Sequence, residues 1–250
     1  MLSYSSRRLS LGREWALSAR ALAGVRGMCV IPEEPPVLLE RRGRVGVLRL
    51  NRPASLNAMT SAMGDALQRA VAELSAEQLG AVVLTGAGSA FSAGGDMQFL
   101  HDRAADSAWR NAQIMRSFYE RFLSVRKLPV PVVAAINGPA IGAGLCLALA
   151  CDIRVASPTA RLGVTFVSLG LHPGMGATHF LPLAVGSQVA ARMMLTGEVI
   201  TGEQALREGL VVSLEEDTEG AAIALAEKIA AQAPVAVRTC VRNLRASQVS

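Results

Sequence analysis

Two glycine-rich stretches carry the residues whose types and spacing suit chemistry: "FSAGGDM" at residues 91–97 and "NGPAIGAGLCLALACD" at residues 137–152. In the second, Gly138, Gly142 and Gly144 fall within seven residues and lead into an apolar run with no carboxylate before Asp152. A glycine-rich turn that opens a helix leaves backbone N–H groups free for a negatively charged atom. Both stretches follow apolar strands, so one N–H from each can converge on a single oxygen. That arrangement is an oxyanion hole, and it needs small residues so that a substrate can reach the backbone.

Other anion-binding motifs do not match. "TGAGSAF" has G-x-G at Gly86 and Gly88, but Phe91 stands where a dinucleotide fingerprint wants a third small residue. A Walker loop needs Gly-Lys, and the only lysines, Lys127 and Lys228, do not follow glycine. No G-x-S-x-G nucleophile elbow is present. His101, His172 and His179 make no HExxH, so no metal site is expected. Cys29, Cys146, Cys151 and Cys240 lack CxxC spacing and read as reduced, mostly buried thiols.

The elements that must position these loops alternate between strand and helix. "VLLERRGRVGVLRL" reads as two strands around a turn at Arg42-Gly43-Arg44. Thr60 is the expected N-cap of a helix through Leu74, with Met63, Leu67, Val71 and Leu74 at helical spacing. "GAVVLTG", "PVVAAING" and "DIRVASP" read as strands, and "AGSAFSAGGDM" as a loop. Helices are expected near 107–126, 145–150, 178–196, 202–208, 219–232 and 234–246, with "VVSL" as a short strand. Strand–loop–helix recurrence with loops directly after strands predicts an α/β fold.

With those stretches in view, the chain resembles the crotonase superfamily, the enoyl-CoA hydratase/isomerase family. The resemblance rests on "LNRPASLNAM", "VVLTGAGSAFSAGGDM", "KLPVPVVAAINGPAIGAGLCLALACDIRVAS", "LGLHPGMGATHFL" and "LTGEVITGEQALREGLV", and spans about residues 37–246. It implies a spiral of ββα units over 37–196 and a helical C-terminal region over 197–250, shorter than is usual in the family. It implies a bent acyl-CoA thioester as ligand, lyase or isomerase chemistry of fatty acid metabolism, and a homotrimer or hexamer. By motif, the oxyanion donors are the N–H groups of Ala93 and Ala143, which would hold a thioester enolate oxygen with the following helix dipole behind it. Ala54, Leu56, Ala58, Gly95, Asp96 and Met97 match stretches that line the coenzyme A channel, and Gly142 and Phe166 fall at the substrate. Asp96 has a second reading as a helix N-cap. No cofactor is expected beyond the coenzyme A thioester itself.

The family pattern breaks where acid–base chemistry belongs. Hydratases of the family place two glutamates around a water. Those positions are Cys146 and Phe166 here, and a third acidic position used by isomerases is Gly174. Cys146 sits early in a helix, which lowers a thiol pKa, but among apolar neighbours, which raise it. His172 lies beside the expected pocket and is the other candidate base; His179 reads as structural. The chain therefore reads as an acyl-CoA protein that stabilises an enolate with non-hydratase acid–base groups. The alternative is a catalytically inactive acyl-CoA binder or assembly partner.

Charge and hydropathy bound the remaining classes. The net charge is +5, and residues 1–30 supply +4 of it through Arg7, Arg8, Arg13, Arg20 and Arg26 against Glu14. The rest of the chain is nearly neutral, so no nucleic-acid face is indicated. RNA binding, known in one branch of the family, relies on a lysine-rich helix that two lysines do not make. No run of 18 apolar residues is present, so no transmembrane segment is expected. The Arg- and Ser-rich, acid-poor start predicts a mitochondrial targeting segment and linker over 1–36, ending in "PEEPP".

Overall fold

The computed structural model describes residues 34–248; apart from its last linker residues, the expected targeting segment lies outside them. Strands β1 (Val37–Arg42) and β2 (Val45–Leu50) form the expected antiparallel hairpin, turned at Gly43 with φ +58°. Helix α1 (Ser61–Ser75) starts at Thr60, whose hydroxyl accepts the Met63 N–H at 3.2 Å. Its Met63, Leu67, Val71 and Leu74 are all buried, so the helical spacing in the sequence marks the face turned to the core.

Strand β3 (Ala81–Gly86) pairs in parallel with β2. Helices α2 (Met97–Ala104) and α3 (Ala108–Leu123) then lead to β4 (Val132–Ile136), parallel to β3. A two-residue strand β5 (Ala140–Ile141) precedes the wholly buried α4 (Ala143–Leu149) and β6 (Ile153–Ala156). Next come β7 (Arg161–Gly163), a 3-10 turn over Thr165–Leu169, and α5 (Ala177–Thr196), which is kinked at Gly186 with φ +76°. The chain continues through β8 (Val199–Thr201), α6 (Gly202–Arg207), β9 (Ser213–Leu214), α7 (Thr218–Ala230) and α8 (Pro234–Ser247).

The main sheet has the order β1-β2-β3-β4-β6-β9 and is parallel apart from its first hairpin. Consecutive strand residues point to opposite faces. Leu48, Val82, Leu84, Val132 and Ala134 therefore share one core with Met63 and Leu67 of α1 and Phe118 and Phe122 of α3, while Val47, Val83, Val133 and Ala135 share another with Ala222, Ile223 and Ala226 of α7. Burial on both faces explains why these strands read as unbroken apolar runs. Each such Leu or Val, fully buried, contributes about 1.5–3 kcal/mol.

The expected α/β fold is thus present, with two local differences. The loop expected through Met97 ends one residue sooner: residues 97–104 form a helix, and Asp96 takes its second reading as the N-cap, accepting the N–H groups of Gln98 and Phe99 at 3.1 and 3.3 Å. Beyond 197, the strand expected in "VVSL" is β9, which extends the main sheet, whereas β8 was not expected and closes a three-stranded sheet β5-β7-β8, so 197–248 folds onto both sheets. Arg245 of α8 fastens this end. It pairs with Asp152 at 2.6 Å and donates to the carbonyls of Arg126 and Leu128.

Candidate active site

The 91–97 loop and the turn before α4 meet edge to edge. The Ser92 N–H donates to Pro139 O at 3.1 Å, and the Ile141 N–H donates back to Ser92 O at 3.0 Å. Glycine is required at this seam. Gly94 has φ +94°, and a Cβ there would stand 2.6 Å from Ile141 O and 3.4 Å from the Ala143 nitrogen. A Cβ on Gly144 would overlap the Ser92 carbonyl. Asn57, fully buried, holds the outer side of the loop: it donates to Ala87 O and Ala90 O at 2.9 and 2.8 Å, while Ser92 Oγ donates to Asn57 O at 2.8 Å.

Hydrogen bonding decides which N–H groups remain available. The Ala93 N–H donates to Leu56 O at 2.9 Å, so Ala93 is not the free donor that the motif suggested. Gly94 donates to Ser92 Oγ at 3.2 Å, and Asp96 to Met59 O at 3.0 Å. The N–H of Gly95 has no acceptor among the described residues, which moves the first donor two positions along the loop. Ala143 is the first residue of α4, and its N–H is also without an acceptor among them, because the N-cap is Gly142 and glycine has no side chain to offer.

Gly95 and Ala143 both open on one cavity of about 610 Å³. Ala93, Met97, Gly142, Phe166 and His172 share its wall, whereas Ala54, Leu56, Ala58 and Asp96 do not. Ala54 and Leu56 are exposed on the loop behind Ala93. Asp96 serves as the α2 N-cap and lies 3.8 Å from Arg52. Among the described residues the wall contains no aspartate or glutamate. No cluster of three His, Cys, Asp or Glu able to hold a metal occurs among them either.

Cys146 is corrected from catalytic candidate to packing residue. It is 0% exposed, it is not on the cavity wall, and its thiol donates to Gly174 O at 3.7 Å. Burial pushes the thiol up to about 12, which outweighs its place early in a helix. Phe166, 9% exposed, puts an apolar ring on the cavity wall. His172 is exposed on the cavity wall; His179 packs edge-on against Phe180 with ring centroids 5.0 Å apart.

Sequence reasoning missed the α3 wall. Asn111, Met115 and Tyr119 repeat at i, i+4 and i+8, so one helix face supplies all three to the cavity. The Tyr119 hydroxyl reaches across to Gly174, where any Cβ would overlap it. The space left free by the absent side chain of Gly174 is therefore taken by a phenol from another element. Burial, with Cys146 beside it, pushes Tyr119 up to about 12, so it is a proton donor throughout the neutral range.

The enoyl-CoA hydratase/isomerase family model matches residues 40–249. The chain belongs to the enoyl-CoA hydratase/isomerase family. It is 40% identical over 213 residues to the probable enoyl-CoA hydratase EchA14 of Mycobacterium tuberculosis, covering 85% of this chain and 82% of that protein. It is 37% identical over 206 residues to the short-chain-enoyl-CoA hydratase of Clostridium acetobutylicum, covering 81% of this chain and 78% of that one. The solved structure of Pseudomonas aeruginosa DspI superposes with a TM-score of 0.79 at 34% identity, over 88% of this chain and 91% of that chain. As a chain of the hydratase/isomerase family it combines two open N–H groups with a cavity wall whose ionisable side chains are Arg103, Tyr119 and His172.

Proposed function

We propose that the cavity binds an acyl-CoA thioester with its carbonyl oxygen between the N–H groups of Gly95 and Ala143, and that these two donors stabilise the enolate formed when an α-proton leaves. The observation that carries this reading is the pair of unoccupied N–H groups on adjoining loops that open on one largely apolar cavity. His172 is the base in this reading, because it stands exposed on the cavity wall and an imidazole nitrogen carries a lone pair that accepts a proton. Tyr119 is a hydrogen-bond donor in this reading, because burial keeps its phenol protonated on the same cavity wall. The exposed loop bearing Ala54, Leu56 and Ala58 is the surface along which the coenzyme A moiety lies, and no other cofactor is required. The functional form is a homotrimer or hexamer located in mitochondria.

Hydration is the weak reaction of this site. One positioned acid or base contributes about 10²–10⁴-fold, so losing two independent carboxylates removes on the order of 10⁴–10⁸, roughly 5–11 kcal/mol of barrier lowering. The oxyanion donors do not replace them, since they stabilise charge without activating water. Crotonyl-CoA is expected to bind by calorimetry while its hydration is slow or undetectable. Residual proton transfer, read as deuterium uptake from heavy water into bound acyl-CoA, is expected to fall in His172→Ala and in Tyr119→Phe. Hydration at hundreds of turnovers per second would contradict the assignment. The absence of both carboxylates also favours a second reading, a binder without chemistry, and binding with no deuterium uptake at all would select it.

A further inference from the structure

Two residues that line this cavity each hold a buried polar atom without a hydrogen-bond partner among the described residues: Arg103 Nε and Asn111 Oδ1. Burying an unpaired polar or charged atom costs free energy that native structures ordinarily recover from a ligand, an ion or water. Arg103 makes no ion pair among the described residues although carboxylates lie close in sequence. Asp102 accepts from Gln98 at 2.8 Å, and Asp106 pairs with Arg110 at 3.5 Å. The Arg103 guanidinium is instead held over the Phe99 ring, 5.4 Å from its centroid, and Phe99 stacks on Phe118 at 4.5 Å. Asn111 fixes the backbone beneath it by donating to Arg103 O at 2.7 Å. The guanidinium thus ends an aromatic wall, near the far end of α2 and roughly 9 Å of helical rise from Met97 beside the oxyanion loop.

We infer that Arg103 is a specificity residue that receives a carboxylate at the distal end of the acyl chain. The preferred substrate class is accordingly an ω-carboxyacyl-CoA rather than a simple fatty acyl-CoA. This rests on the acyl-CoA reading above and adds the chemistry of the acyl end. Guanidinium and carboxylate form paired, charge-assisted hydrogen bonds, and the aromatic wall between thioester and Arg103 suits the methylenes that separate the two ends. Asn111 Oδ1, left as an acceptor, suits a water donated alongside that carboxylate.

Calorimetry on the full chain with adipoyl-CoA and hexanoyl-CoA, which share chain length, tests the inference. Wild type is expected to bind adipoyl-CoA roughly tenfold to hundredfold more tightly, the range for a hydrogen bond to a charged group. Arg103→Met should erase that preference and leave hexanoyl-CoA affinity within about threefold, as expected for a change confined to the distal end. Hexanoyl-CoA binding as tightly as adipoyl-CoA in wild type would overturn the inference while leaving the acyl-CoA reading intact. So would equal losses for both thioesters in Arg103→Met. Binding of neither thioester to wild type would overturn the acyl-CoA reading and this inference together.

Discussion

Cys146 and Tyr119 are neighbours with protons that burial holds in place. For Cys146 and Cys151 the folded-state pKa rises from an ordinary 9.0 to about 12, and for Tyr119 from 10.0 to about 12. The unfolded chain releases these protons first as pH rises, so it binds fewer protons than the folded chain in that window. Their contribution to stability is therefore fully present below pH 9 and is lost progressively as pH climbs towards 12. The urea midpoint is expected to be steady just below pH 9 and to fall above pH 10, with a shallower fall in Cys146→Ala. A midpoint indifferent to pH across that window would refute the burial of these groups. At the same scale, the choice between Ala93 and Gly95 was not legible in "FSAGGDM". It depends on Leu56 O, a partner 37 residues earlier in the chain, and not on the motif's own letters.

At the scale of elements, the seam between the 91–97 loop and α4 is what makes the site. Gly94→Ala is expected to cost on the order of 1–3 kcal/mol in backbone strain and to abolish acyl-CoA binding, because its methyl group would push Ile141 and Ala143 away from the loop. Gly43→Ala provides the control: it has φ +58° but nothing within 4 Å of the added Cβ, so strain appears without loss of binding. Differential scanning calorimetry and titration on both variants check this, and equal binding by the two would contradict it. Long elements were legible because their periodicity runs over many residues, as in α1 with its Thr60 cap and buried stripe. Strands β5, β7 and β8, two or three residues each, carry too few positions for an alternating pattern to show. Tyr119 was invisible for a different reason: only the packing of α3 brings it over Gly174.

For the whole molecule, family and fold follow from ordered motifs that run nearly the length of the described chain, with a family match over residues 40–249. The proposed targeting and assembly draw on features outside the cavity. The first 30 residues concentrate arginine against a single acid. Several large apolar side chains are left exposed on the α5–α6 region, among them Leu183, Leu195 and Leu206. Expressed in eukaryotic cells, the full chain is expected in the mitochondrial fraction, shortened at its N-terminus, with a trimeric or hexameric mass by light scattering. A full-length cytosolic monomer would contradict both parts of that expectation. No single described helix is long and apolar enough to cross a membrane.

In the proposed complex the Gly95 and Ala143 N–H groups grip a thioester carbonyl. The vibrational frequency of that carbonyl reports the grip, because two aligned donors lengthen and polarise the C=O bond. Isotope-edited infrared difference spectra of butyryl-CoA labelled at the thioester carbon, free and bound, isolate that band. A bound band displaced to lower frequency than in water, and returned towards the free value by Ala143→Pro, is the result predicted. A bound thioester whose carbonyl band stays at its aqueous position would contradict the account.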